Sequence, residues 1–354
     1  MKKFNFNLII YLLIAIICGF ISALIALFLL TSGSIPFLSN YNVSQRDIDR
    51  QIVIDQPRNV IVQQDVQIKQ LENNLLPALA NIYQKKKTNQ GYTDSQIISQ
   101  GVVLTSDGWI LLPEIKNSGA SLSYEAVGYQ NKQYDVKNFI SDTTTGLSFA
   151  RITGKNLPVA SIGRSKDVSI GQTVIVVNQR KKMEIANITE VGYVFNTEKD
   201  IVQNSDLFNK KLFVNINLDK SYNGAVVTNL KGEIVGIVND GQVIPSDYFS
   251  RTINDVLSGG KISRPELGID FIDLSSTEGT KSLGEQGAYV TNVDKSSQAY
   301  GKIKAGDIIK KVNDLELGSF LSLSEAVNNF NTGNKVELLY SRAGKDASIN
   351  VVLN

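Results

Sequence analysis

The chain has 354 residues, 42% of them hydrophobic and 20% charged, which suits two globular domains and leaves no low-complexity tract. Lys2 and Lys3 account for the formal charge of +2: the other 34 basic residues balance 34 acidic ones, so there is no electrostatic case for nucleic acid. With no histidine and one cysteine, Cys18, the chain lacks the commonest general base and can build neither an ordinary zinc site nor an intramolecular disulfide, and no cofactor is expected.

Leu8 to Leu30 carries no charge. At about 1.5 Å per residue it spans roughly 34 Å, enough to cross a hydrocarbon core. Lys2 and Lys3 precede it and the next basic residue is Arg46. The positive-inside rule then puts the N-terminus in the cytoplasm and everything after Thr31 outside it. A cleaved signal peptide, with Ser32 and Ser34 at its cleavage site, is the rival, but its apolar core would run only about 7–15 residues. The expectation is a cytoplasmic tail over 1–7 and a signal anchor over 8–30, with Cys18 as a small apolar residue of that helix.

Residues 31–58 are polar, carry Pro36 and Pro57, and read as a spacer. Val60–Val62 has the look of a short strand. Asp65 is placed to cap a helix through Asn74, with Val66, Leu71 and Leu75 on one side and Pro77 ending it. From Leu76–Tyr83 onward, short β-rich runs alternate with turns, as in an all-β barrel. Among them are Gly101–Leu104, Asp107–Leu111, Tyr134–Lys137, Thr145–Ile152 and Ile170–Val174. Gly224–Thr228 and Glu233–Val238 flank the turn Asn229-Leu230-Lys231-Gly232, whose Lys-Gly pair is expected to supply the positive φ of a tight hairpin. Ser258-Gly259-Gly260 reads as a hinge. Beyond it come strands at Gly287–Val293 and Ile308–Asn313 and a helix over Leu323–Phe330 with a Ser322/Glu325 capping box. Strands at Val336–Tyr340 and Ala347–Leu353 close the order.

These runs, in this order, resemble the HtrA/Deg serine proteases. Leu76–Tyr83 is similar to their opening strand, Gly101–Leu111 to their first hairpin, and Gly224-Ala225 to the hairpin behind their nucleophile turn. The resemblance implies a mainly β fold: an N-terminal transmembrane helix, a trypsin-like double β-barrel over 59–257, a hinge over 258–264 and a C-terminal α+β PDZ domain over 265–354. It also sets Ile115 at the family's His position, Gly146 at its Asp position and Tyr222 at its Ser position. An aliphatic side chain takes no proton, glycine has no side chain, and a phenol of pKa near 10 is a poor acyl acceptor. The expectation is therefore a pseudoprotease and no enzyme. The alternative is a serine endopeptidase with a non-standard site, in which a lysine or carboxylate lies within about 3 Å of Ser221 Oγ; the candidates are Lys220, adjacent in sequence, and Glu114, next to the family's His position.

The PDZ resemblance implies a mechanism that uses backbone groups. The N–H groups of Leu267, Gly268 and Ile269 would hold a terminal carboxylate. The peptide would add as a strand beside Gly268–Phe271, facing the helix that carries Leu323 and Val327. The expected partners are peptide or protein C-termini or unfolded segments, the membrane through one helix, and a homo- or hetero-trimer formed around Val60–Ile82. The implied role is a scaffold or sensor in protein quality control, or a non-catalytic subunit in a mixed trimer with active paralogues.

Overall fold

The computed structural model describes residues 6–31, 66–87, 91–115, 123–259, 261–280, 282–283, 286–319 and 321–354. The chain divides into two units, Met1–Gln63 and Gln64–Asn354. In the first, helix α1 runs over Phe6–Thr31. Among the described residues no helix is long and apolar enough to cross a membrane. The spacer over 32–58, the strand at Val60–Val62 and the Asp65 cap lie outside the described residues.

The second unit begins with α2 over 66–75, which buries Leu71 and Leu75 before Pro77 enters a 3₁₀ turn, Leu76–Ala78. Six antiparallel strands follow: β1 (Leu79–Gln84), β2 (Ser99–Val103), β3 (Trp109–Pro113), β4 (Tyr124–Val127), β5 (Gln133–Asp142) and β6 (Leu147–Ile152). They close a barrel in the order β1-β2-β3-β6-β5-β4. The next strands are β7 (Thr173–Val177), β8 (Met183–Gly192), β9 (Val202–Asn204), β10 (Lys211–Val214), β11 (Val226–Thr228), β12 (Ile234–Asn239) and β13 (Gln242–Pro245). All except β9 close a second barrel, β10-β13-β12-β11-β7-β8.

Strands such as β7 read as unbroken apolar runs because both of their faces are buried. Val174 and Val176 fill the second barrel, while Ile175 and Val177 face a layer they share with Val102, Leu111 and Phe149 of the first. The hairpin β11–β12 turns at Gly232 (φ +82°), and Asn229 Oδ1 accepts the N–H groups of Lys231 (2.9 Å) and Glu233 (3.1 Å).

Helix α3 (Ser250–Gly259) buries Thr252 and Val256 and runs through Ser258 and Gly259. The expected flexible hinge is thus helical at those two residues, because that packing carries the helix on. The C-terminal domain comprises β14 (Ile269–Asp273), β15 (Ala288–Val293), β16 (Ile308–Val312), β17 (Leu315–Glu316), α4 (Leu323–Val327), β18 (Lys335–Arg342) and β19 (Lys345–Val352). Its sheet runs β19-β18-β16-β15-β14-β9, so the strand that left the second barrel forms its edge. Ser322 and Glu325 form the capping box that the sequence predicts. The helix ends at Val327 rather than Phe330: Asn329 Nδ2 donates to Glu325 O (2.8 Å), a carbonyl that a further helical amide would use, and the amides of Asn329 and Phe330 donate three residues back, to Ala326 O and Val327 O.

Candidate functional site

Two places carry chemistry: a cleft between the barrels and the edge of the C-terminal sheet. At the cleft, the end of β3, the turn before β6 and the end of β12 meet. Glu114 N–H and Asn239 Nδ2 both donate to Gly146 O, at 2.9 and 3.0 Å. A cavity of about 180 Å³ opens here, lined among others by Ser99, Glu114, Ile115, Asn223 and Asp240. Ile115 thus follows directly on the residue whose amide bonds to Gly146 O, and it packs into the first barrel's core.

The Tyr222 ring packs instead into the core of the second barrel. Its hydroxyl donates to Glu184 Oε1 at 2.6 Å. Burial, with Glu184 adding to it, pushes the phenol up to about 12. Lys182 and then Tyr222 hold the Glu184 carboxyl below its usual range. The neighbouring Ser221 Oγ donates to Asp219 Oδ1 at 2.6 Å, and Ser221 N–H donates to the same oxygen at 2.8 Å. Those two bonds lower the Asp219 carboxyl. The amides that follow are paired within the protein: Tyr222 N–H to Asp219 O, Asn223 N–H to Lys220 O, Gly224 N–H to Val238 O and Ala225 N–H to Tyr222 O. An oxyanion would have to compete with those carbonyls for a donor.

At the sheet edge, the N–H groups assigned to carboxylate binding meet a carboxylate. Leu267 N–H donates to Asp206 Oδ1 (2.8 Å), and Gly268 N–H reaches both Asp206 oxygens (3.2 and 3.1 Å). Ile269 N–H donates to Ser205 Oγ (3.0 Å), and Ser205 N–H returns a bond to Ile269 O (2.8 Å). Gly268 sits at φ +68°, and a Cβ there would stand 2.7 Å from the Ser297 Cβ, so the loop needs its glycine. β9 pairs antiparallel with β14, placing Asn204 opposite Asp270, Gln203 opposite Phe271 and Val202 opposite Ile272. The side chains of Leu267, Ile269, Leu323 and Val327 lie in the domain core, so of the five predicted groove residues the first three contribute backbone at this edge. Sequence reasoning missed Val202–Asp206 altogether. Asn204-Ser205-Asp206 reads as an ordinary turn, and nothing local names its partner sixty residues on.

The comparisons agree with this geometry. Residues 265–353 match the family model described as PDZ domain. "Serine protease Do-like HtrA" of Lactococcus lactis subsp. cremoris (strain MG1363) is 27% identical over 337 residues, 81% of each chain. "Serine protease Do-like HtrB" of Bacillus subtilis (strain 168) is 28% identical over 251 residues, 64% of this chain and 55% of that one. Among solved structures, "HtrA-type protease AlgW with decapeptide" superposes with a TM-score of 0.58 at 18% identity, covering 80% of this chain and 97% of that one. The expected double barrel and PDZ domain therefore stand. The expectation of no enzyme is corrected: the relatives are named serine proteases, which points to an enzyme. The physical reasoning behind it weighed Ile115 at the family's base position and Lys220 and Glu114 as substitutes, whereas the acceptor near Ser221 Oγ is Asp219, two residues before it.

Proposed function

Taking the chain as HtrA-like, a trypsin-like double barrel followed by a PDZ domain, we propose that it is a membrane-anchored, extracytoplasmic member of the serine protease class that takes hold of other polypeptides by their free C-termini. The observation that carries this reading is the pair of amides, Leu267 and Gly268, converging on a carboxylate beside a sheet edge that accepts an antiparallel strand. Strand addition with capture of a terminal carboxylate needs that combination. The structure titled with a decapeptide supports peptide binding by the same layout. Dissociation constants near micromolar, about −8 kcal/mol, are ordinary for such a groove. The test is fluorescence anisotropy with peptides carrying an apolar last residue, each as free acid and as carboxamide. Binding of the acid and loss of it in the amide is expected; equal binding of both would sink the reading.

Hydrolysis centres on Ser221, whose Oγ has a carboxylate acceptor within reach at 2.6 Å. A lowered carboxyl is a weak base and the amides of this turn are already paired, so turnover is expected to be slow, below the roughly 10³–10⁴-fold over water that an intact oxyanion hole and binding supply when a triad member is lost. An acylating fluorophosphonate probe should label the chain and should not label Ser221→Ala. Labelling that survives the substitution would place the nucleophile elsewhere. The apolar run over 8–30 supports the anchor and the outward placement of the rest. The role we infer is the capture of exposed termini in quality control outside the cytoplasm, with a trimer as the assembly.

A further inference from the structure

We propose that Val202–Asp206 is a built-in pseudo-ligand: it closes the PDZ groove in the resting chain, and a polypeptide C-terminus binds by displacing it. This rests on the reading that the groove takes free C-termini, and it adds what stands in the way. The segment has a ligand's direction and register. Val202, Gln203 and Asn204 run antiparallel to Ile272, Phe271 and Asp270, Ser205 completes the ladder through both of its bonds to Ile269, and Asp206 arrives at the Leu267–Gly268 amides. A side-chain carboxylate thus stands where the chain end of a bound peptide would put its own.

The segment is held ready for that task. Asn204 Oδ1 accepts the Asp206 N–H (2.9 Å), and Ser205 Oγ donates to Asp206 Oδ1 (2.7 Å). Both ends of the loop that carries it are tied to the C-terminal domain. Tyr193 OH donates to Asp273 Oδ2 (3.1 Å), and Lys210 Nζ donates to Glu325 Oε2 (3.2 Å). Being on the same chain, the segment competes at a high effective concentration.

It is also a replaceable ligand. Val202 is 42% exposed, and the four residues after it are polar, so the segment adds almost no apolar anchor to its strand bonds. A peptide with the same backbone bonds, a true terminal carboxylate and an apolar last residue has the advantage once bound. Until then its apparent affinity is reduced by the fraction of chains whose groove is open.

The test uses the full chain in detergent and a fluorescein-labelled peptide with a free C-terminus and an apolar last residue. Asp206→Ala removes the pseudo-carboxylate, and the peptide should bind it about tenfold more tightly, or better, than it binds the unmodified chain. Equal affinity overturns the proposal. A second variant, Asn204→Cys with Asp270→Cys in a Cys18→Ala background, joins two facing residues of the paired strands. Oxidised, it should not bind the peptide, and a reductant should restore binding; binding unchanged by oxidation overturns the proposal as well. If no form binds the peptide, hydrogen exchange of 202–206 separates the two ideas. Faster exchange in Asp206→Ala sustains the self-pairing while the C-terminus reading falls, and unchanged exchange removes the pseudo-ligand itself.

Discussion

At Gly224 a side chain has nowhere to go. The residue sits at φ +82°, and a Cβ would stand 2.1 Å from Gln100 O, a backbone atom of the opposing barrel. Gly171 has nearly the same backbone (φ +84°) with open space around it. Alanine at either pays for the left-handed conformation, about 1 kcal/mol, but only Gly224→Ala must also move a strand. We expect Gly224→Ala to lower stability to urea by at least 2 kcal/mol more than Gly171→Ala does; equal midpoints would mean that the barrels are not packed this closely at Gln100. Lys211 gives a pH signature. Burial pulls its ammonium down from the ordinary value near 10.5 to about 8. The unfolded chain therefore binds more protons between those values, so this residue's contribution to stability rises with pH across that window. Lys211→Met should be more stable than the unmodified chain near pH 7, and the gap should narrow as pH rises from 8 to 10, read from urea midpoints. A gap that stays constant would show that the ammonium is not desolvated.

Individual elements are held together by a few buried polar contacts whose loss is costly. Arg264, in the segment before β14, forms an ion pair with Asp142 at the end of β5, with both side chains largely buried. The same guanidinium donates to Tyr248 O (2.8 Å) and lies 4.8 Å over the Phe208 ring. Asp142 in turn accepts from Thr145 Oγ1 at 2.8 Å. Removing one partner strands a buried charge, so Arg264→Met and Asp142→Asn should each lower stability by about 3–5 kcal/mol. A double-mutant cycle should return a coupling above ~1 kcal/mol; additive losses would contradict a direct pair. This pair was not legible in the sequence, because its members lie 122 residues apart. What was legible is local. The β11–β12 hairpin showed in its Asn-Leu-Lys-Gly turn, and the start of α4 in its Ser322/Glu325 box, since those signals act within four residues. Ends were read less well. The glycines after α3 suggested a hinge, yet buried Thr252 and Val256 carry the helix to Gly259.

Over the whole molecule, the order of apolar runs and turns suited an all-β barrel, and the resemblance those runs carry to the HtrA/Deg proteases implied two barrels and a PDZ domain; the closing pairs β3–β6 and β1–β4, or β11–β7 and β10–β13, join strands that no local signal links. At the cleft, Ile115 lines the cavity and the Glu114 amide beside it bonds to Gly146 O. The groove was legible only in part. Its amides at Leu267–Ile269 could be assigned from the sequence, but their occupant is a short polar strand whose pairing depends on how the second barrel presents its loop. That contact ties the two domains of the second unit into one device, in which access to the groove is set by the barrel. Hydrogen exchange read at 202–206 and at 269–273, with and without saturating peptide, tests this most directly. The account predicts that both segments are protected in the free chain, and that peptide speeds exchange at 202–206 while 269–273 stays protected beneath the new strand. Protection at 202–206 that persists while the peptide is bound would contradict it.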